Sequence, residues 1–317
     1  MTQIFDLRQI KEVCERMSFI ETIEDGFGAY SRGEVIVPPV GELTFTDPPG
    51  DTHIKYGYAR EDDFYVIKIA SGFYENPKHG LPSNSGLMLV FSKNTGELLS
   101  ILLDEGYLTD VRTAVAGQIA AKYLAPAEVD GIGIFGTGIQ AKMQVQYLKE
   151  ITPCRDLIAW GRSENSRQQY KETMTGLGFN VTTTDDPAEV TAHCNLLVTA
   201  TPSESPLIKM DMIRPGTHIT AMGSDSPNKQ ELDEKILGQC DLVVADSISQ
   251  CLERGEISKA IKAGIITSDT LTELGQIING SAPGRTSEEL ITVADLTGVA
   301  VQDIKISDAV YRELITK

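Results

Sequence analysis

The residues in this chain best placed to do chemistry together lie in Gly131-Ile132-Gly133-Ile134-Phe135-Gly136-Thr137-Gly138-Ile139-Gln140-Ala141. An apolar run that reads as a strand enters Gly136-x-Gly138-x-x-Ala141 and leaves as a helix. In such a turn the first glycine permits the sharp reversal and the second lets backbone approach a pyrophosphate. A small third residue lets helix pack on strand. The helix start supplies unpaired N–H groups and a partial positive charge for the phosphates. Glycine turns also close strands for geometric reasons alone, but the strand before and the helix after favour a dinucleotide site, with Gly136, Gly138, Ile139 and Gln140 as contacts. The next apolar strand, 156–160, ends in Gly161-Arg162-Ser163, where an NAD site usually places an acid against the ribose 2′-hydroxyl. An arginine there suits a 2′-phosphate, so Arg162, with Ser163 and Arg167 beside it, favours NADP over NAD. The plain alternative is a solvated loop arginine.

Five other positions carry ionisable groups in telling places. Lys68 sits inside the apolar run Phe64 to Ala70, where a charge must find a partner or a cavity, unless it guards the edge of a sheet. His53 and Lys55 are two apart and share a face if that segment is a strand. Such a face would be cationic and would attract a carboxylate, unless Lys55 is solvated and His53 merely beside it. Arg112, read alone, is a solvated residue in a helix's first turn, and Ser224-Asp225-Ser226-Pro227 is a plain turn. The five cysteines are scattered, with no Cys-x-x-Cys pair, and the four histidines lack ligand spacing, so no metal is expected.

The elements that must position these residues change character along the chain. Residues 6–20 place Leu7, Ile10, Cys14, Met17 and Ile20 at near-helical spacing behind a capping pair, Asp6 and Gln9. From about 34 to 103 the texture is short β runs separated by Pro and Gly, and Asn94-Thr95-Gly96 reads as a hairpin turn in a largely antiparallel sheet. After an Ala-rich helix over 113–124, strands at 131–135, 156–160, 195–200, 217–222 and 241–245 alternate with helices. That alternation predicts a parallel sheet covered by helices. A last strand at 291–293 precedes an amphipathic helix to Lys317.

The 317 residues are 41% hydrophobic and 23% charged, an ordinary globular composition with enough chain for two domains. With 28 basic against 45 acidic residues the net charge is −17, which repels phosphate backbones and anionic lipid heads. No nucleic-acid or membrane partner is expected. No apolar run approaches a membrane span, and the N-terminus lacks a signal pattern, so a soluble, cytoplasmic protein is the expectation.

The glycine turn with Gln140-Ala141, Leu108-Thr109-Asp110-Val111-Arg112-Thr113-Ala114 before it, and Ala221-Met222-Gly223-Ser224-Asp225 after it make the chain resemble the ornithine cyclodeaminase/mu-crystallin family. The resemblance extends through Gly255-Glu256-Ile257, Thr272-Glu273-Leu274-Gly275 and Gly298-Val299-Ala300-Val301-Gln302-Asp303. It implies an α/β fold: a central Rossmann-type doubly wound parallel sheet over 116–290, inserted into a second α+β substrate and dimerisation domain built from 1–115 and 291–317. It also implies a homodimer that passes a hydride between nicotinamide and the α-carbon of an amino acid or its imine. By position, Lys68 would point at substrate, Arg112 would grip a carboxylate and Asp225 would be the catalytic acid–base. Ser83, Thr113, Thr201, Met222, Gly223 and Lys229 would contact cofactor, and Thr297 would face substrate. The chain has Pro38-Pro39-Val40 where many members carry an arginine, and its 52–56 segment lacks the acid that meets ornithine's ammonium in cyclodeaminases. The reading is an NAD(P)H-dependent imine reductase or amino-acid dehydrogenase acting on a small substrate, with a dicarboxylic one among the options. An ornithine cyclodeaminase with recycled NAD and a catalytically idle NADP-binding protein are the alternatives.

Overall fold

The computed structural model describes residues 2–73 and 75–316. The chain forms two compact units, Met1–Thr113 with Val299–Lys317, and Ala114–Gly298.

In the first unit a mixed sheet runs in the order Gln3–Phe5, Leu98–Leu102, Asn84–Ser92, Phe64–Gly72, Pro49–Ala59, Val35–Ile36, with Gly41–Thr46 also paired to Pro49–Ala59. Its neighbours are antiparallel except the first pair. The Asn94-Thr95-Gly96 hairpin joins Asn84–Ser92 to Leu98–Leu102 as anticipated. The strand Phe64–Gly72 lies inside the sheet, hydrogen-bonded on both sides, so Lys68 does not guard an edge. Alternation sends Val66 and Lys68 to the face where Met88, Val90 and Leu102 are buried, and the C-terminal helix Ala300–Ile315 packs on this sheet.

The opening helix begins as the capping pair predicts: Asp6 accepts from the Gln9 amide at 2.9 Å and the Gln9 side chain accepts from the Asp6 amide at 3.0 Å. It stops at Cys14, and a second helix spans Ile20–Ser31, where the periodicity predicted one helix to residue 20. Continuing the Ile10, Cys14, Met17 stripe would turn Glu21 and Glu24 inward. The second helix instead buries Ile23 and Phe27, and the break between the two resets the phase.

The second unit is an all-parallel sheet in the order Asn180–Thr184, Asp156–Trp160, Ile132–Phe135, Leu196–Thr199, His218–Ala221, Thr292–Asp295, Leu242–Ala245, Leu271–Glu273. The chain winds outward from Ile132–Phe135 to Asn180–Thr184, then returns to continue on the other side at Leu196–Thr199. That reversal is a topological switch point, where doubly wound sheets open a crevice at the carboxyl ends of their strands. The strand anticipated at 291–293 is Thr292–Asp295 and belongs to this sheet, paired with His218–Ala221 and Leu242–Ala245; it is not part of the unit built from the chain ends. Its residues are wholly buried, as suits a central parallel strand and not a domain border.

Candidate functional site

At the switch point the glycine turn does what its residue types require. Gly136 has φ +122, open to glycine but strained for other residues, and a Cβ there would lie 2.7 Å from the Ala200 carbonyl. Its amide donates to the Trp160 carbonyl at 2.9 Å, locking the turn to the next strand. Gly138 is the N-cap of the helix Ile139–Tyr147 and brings no capping side chain, while a Cβ on it would meet nothing within 4 Å. Ala141 is fully buried, as close helix packing demands. A cleft of about 520 Å³ opens here, walled by the glycine turn, by Trp160 to Arg162 and by Ala200 to Ser205. An uncapped helix start beside an open cleft fits the pyrophosphate of a dinucleotide.

Around this cleft the predicted residues fall into distinct roles. Arg162 lines it and is exposed. Ser163 caps the helix Glu164–Gly176, accepting from the Ser166 amide. Arg167 donates to the Gly161 carbonyl at 2.6 Å and pairs with Asp185 at 3.6 Å, which makes it a brace for the loop that carries Arg162. Ile139 is exposed in the first helical turn, and Gln140 accepts from Gln144 at 3.5 Å. Thr201 donates through both its amide and its hydroxyl to Glu231, each at 2.7 Å. Gly223 donates to the same carboxylate at 2.9 Å, and Met222 is buried just before it.

Asp225 is half-exposed and pairs with Lys229 at 2.6 Å, while Arg254 donates weakly to its backbone carbonyl at 3.5 Å. The pairing sets the carboxylate in one orientation beside a cation. Thr297 lies deep in the second unit: its hydroxyl donates to Asp246 at 3.0 Å and accepts from Gln250 at 2.8 Å. With 1% exposure and its hydroxyl engaged by Asp246 and Gln250, it orders the turn before Gly298.

The first unit gathers the cations. Lys68, Arg112 and Lys55 are all buried, at 2%, 5% and 8% exposure, so Arg112 and Lys55 are not the solvated residues their isolated reading suggested. Lys68 Nζ lies 3.3 Å from Asp303 Oδ2, Arg112 Nε 3.0 Å from Asp303 Oδ1, and Arg112 Nη1 donates to Gln302 at 3.1 Å. Lys55 stands directly opposite Lys68 in the strand register. Burial, joined by the charges of Arg112 and Lys55, pulls the Lys68 ammonium down to about 7 against the attraction of Asp303. Burial alone would raise Asp303; Arg112, Lys68 and Lys55 together hold it below the usual carboxylate range.

Arg112 and Thr113 lie in the second turn of the helix Tyr107–Leu124, which starts earlier than the Ala-rich run predicts. The buried Asp104 explains this, capping the Leu108 amide at 2.8 Å. Thr113 donates to the Thr109 carbonyl at 2.7 Å, and Ser83 accepts the Phe73 amide at its carbonyl. His53 sits between Glu42 at 3.5 Å and Asp51 at 3.8 Å. The face predicted to be cationic is so at Lys55 but flanked by acids at His53.

Asp303, Gln302 and Glu231 escaped the sequence reading as site residues. The available signal was an acid in the apolar stretch Ala300 to Ile306 and another between Gln230 and Leu232. Each is a charge in a run that burial would otherwise claim.

Comparison with known proteins bears on the family and the fold. The model of the ornithine cyclodeaminase/mu-crystallin family matches residues 2–317. An uncharacterised cyclodeaminase of Sinorhizobium fredii is 38% identical over 97% of this chain and 93% of its own. An archaeal alanine dehydrogenase dimer with bound NAD superposes with a TM-score of 0.91 at 31% identity, over 99% of this chain and 96% of that one. The iminosuccinate reductase of Paracoccus denitrificans in complex with NAD+ gives a TM-score of 0.89 at 28% identity, over 99% and 96%.

Proposed function

The chain belongs to the ornithine cyclodeaminase/mu-crystallin family, and from that premise we propose that it is an NAD(P)H-dependent imine reductase, reversible as an amino-acid dehydrogenase, whose substrate is a small dicarboxylic α-imino acid. The observation that carries this reading is the buried cluster in which Lys55, Lys68 and Arg112 gather about the carboxylate of Asp303. Cationic groups grouped in this way suit an anionic ligand. When bound, the dihydronicotinamide supplies the hydride that the imine carbon accepts. Arg112, two of whose nitrogens Asp303 and Gln302 already orient, grips the α-carboxylate. Lys68 polarises the imine, and its proton is held loosely near neutral pH. Lys55 meets the second carboxylate, and Asp225 exchanges a proton with the substrate nitrogen.

In the second unit the amides at the start of Ile139–Tyr147 hold the pyrophosphate, with Thr201, Gly223, Met222 and Gln140 along the cofactor. We assign Lys229, Ser83 and Thr113 to the cofactor as well. Arg162, at the end of its strand with no acid in that place, favours NADP. A homodimer is part of the proposal, supported by the dimeric alanine dehydrogenase, and so is a reducing, cytoplasmic setting, supported by five free thiols.

One observation favours a second reading. Glu42 and Asp51 beside His53 would suit the side-chain ammonium of a diamino acid, as a cyclodeaminase needs. The test follows NAD(P)H oxidation with oxaloacetate plus ammonium, and ammonia release from ornithine with catalytic NAD. Oxidation that requires both keto acid and ammonium supports the reductase. Ammonia from ornithine with no net change in cofactor overturns it in favour of the cyclodeaminase. A protein that binds NADP yet turns over neither is the idle binding protein.

A further inference from the structure

The Gly255-Glu256-Ile257 motif and the acid two residues beyond Lys229 play no part in the chemistry above, yet they form a continuous buried structure in the second unit. Glu231 is fully buried, and its carboxylate takes three donors from two separate segments. Oε1 accepts the Thr201 amide and hydroxyl at 2.7 Å each, and Oε2 accepts the Gly223 amide at 2.9 Å. Those segments follow the neighbouring strands Leu196–Thr199 and His218–Ala221, and the Thr201 segment lines the nucleotide cleft. Gly223 has no room for a side chain, since a Cβ there would lie 2.5 Å from Oε2 and 2.2 Å from the Thr201 carbonyl.

Glu231 is itself held. Its amide donates to Glu256 Oε1 at 2.7 Å, and the Leu232 amide donates to Oε2 at 3.2 Å. Glu256 lies in the first turn of the helix Gly255–Lys262, and the buried Asp295 accepts the Ile257 amide of that turn at 2.8 Å. A buried carboxylate is costly unless its hydrogen bonds are made, and here the donors to Glu231 are two backbone amides and a hydroxyl of the loops that need fixing.

We propose that Glu231 is a positioning residue: it clasps the Thr201 segment to the Gly223–Asp225 turn and so sets the wall of the cofactor cleft, with Glu256 holding Glu231 in register. The proposal rests on the reading of that cleft as the dinucleotide site. A glutamine at 231 keeps the size but presents an N–H₂ group to one of three N–H or O–H donors. One side of the clasp then meets a donor in place of an acceptor.

The test uses the chain's single tryptophan, Trp160, which lines the cleft and reports dinucleotide binding by its fluorescence without any substrate. NADPH and NADH are titrated into the wild type, Glu231→Gln and Glu256→Gln, with circular dichroism and thermal melts alongside. Glu231→Gln raises the Kd about ten-fold or more, the scale of one charged hydrogen bond lost, and Glu256→Gln shifts it the same way by less. A clasp with only a structural role lowers the melting temperature and leaves the Kd alone. A folded Glu231→Gln protein with wild-type Kd overturns the proposal. If Glu231→Gln does not fold, Glu256→Gln decides, and an unchanged Kd there overturns it too. A wild type that binds neither dinucleotide removes the cofactor reading itself, an outcome distinct from both.

Discussion

Lys55 and Lys68 occupy directly opposed positions on adjacent antiparallel strands, and both side chains are buried. Like charges placed this way across a sheet are unfavourable, and the nearby Asp303 carboxylate also has Arg112 to satisfy. The proposal that the substrate carries a second carboxylate draws on this pair.

Asp303 holds this cluster together. Asp303→Asn leaves Lys68 and Arg112 without their counter-charge inside the fold, and breaking a buried pair in this way costs about 3–5 kcal/mol. Urea unfolding should show a midpoint well below that of the wild type. A variant of unchanged midpoint would mean that the cations find another anion.

The acid–base assignment is tested by Asp225→Asn. Loss of a positioned proton-transfer group should cut kcat by about 10²-fold or more while the Kd for cofactor stays near wild type. Unchanged turnover takes Asp225 out of the mechanism.

Stability should depend on pH with a definite sign. Burial raises Glu231 from 4.5 to about 7 and, with the neighbouring Glu231 charge, Glu256 from 4.5 to about 8. Between these values the folded protein binds more protons than the unfolded chain, so their contribution falls as pH rises from about 5 to about 8. Asp295, raised by burial and by Glu256, acts in the same direction. Lys68, lowered from 10.5 to about 7, acts oppositely above pH 7, where the unfolded chain holds the extra proton. Melting temperatures across this range should fall up to near neutrality, and Glu256→Gln should flatten that fall. A wild-type curve that rises from pH 5 to 7 contradicts the assignment.

Arg162 should decide between the two dinucleotides. Arg162→Ala removes the partner of a 2′-phosphate and should weaken NADPH about ten-fold or more while leaving NADH nearly unaffected. Equal losses for both would make Arg162 a general cleft residue.

The parts of this molecule that could be read from the chain are those whose cause is local. The glycine turn, the Asp6 and Gln9 cap, the Asn94 hairpin and the apolar parallel strands each follow from neighbouring residues. The strand Asn180–Thr184 was missed because it is a polar edge strand, Asn-Val-Thr-Thr-Thr, with little apolar run to announce it. Asp303 was missed for another reason. Its partners Lys68 and Arg112 lie far back in the chain and meet it only when the C-terminal helix packs on the sheet. Thr297 was placed by resemblance alone, and its hydroxyl is held by Asp246 and Gln250 inside the second unit. Glu231 could have been suspected as an acid in a buried run, but its three donors come from two loops that only the sheet topology brings side by side.

The most direct test of the account compares oxaloacetate with pyruvate, each with ammonium and NAD(P)H, in the wild type and in Lys55→Met. The account predicts that the wild type prefers the dicarboxylic substrate in kcat/KM, and that Lys55→Met lowers this preference about ten-fold or more, the worth of one charged contact. Loss of preference with pyruvate turnover intact would place Lys55 on the second carboxylate. A wild type that favours pyruvate, or a Lys55→Met variant with the wild-type ratio, would contradict the claim that this cation cluster selects a dicarboxylic imino acid.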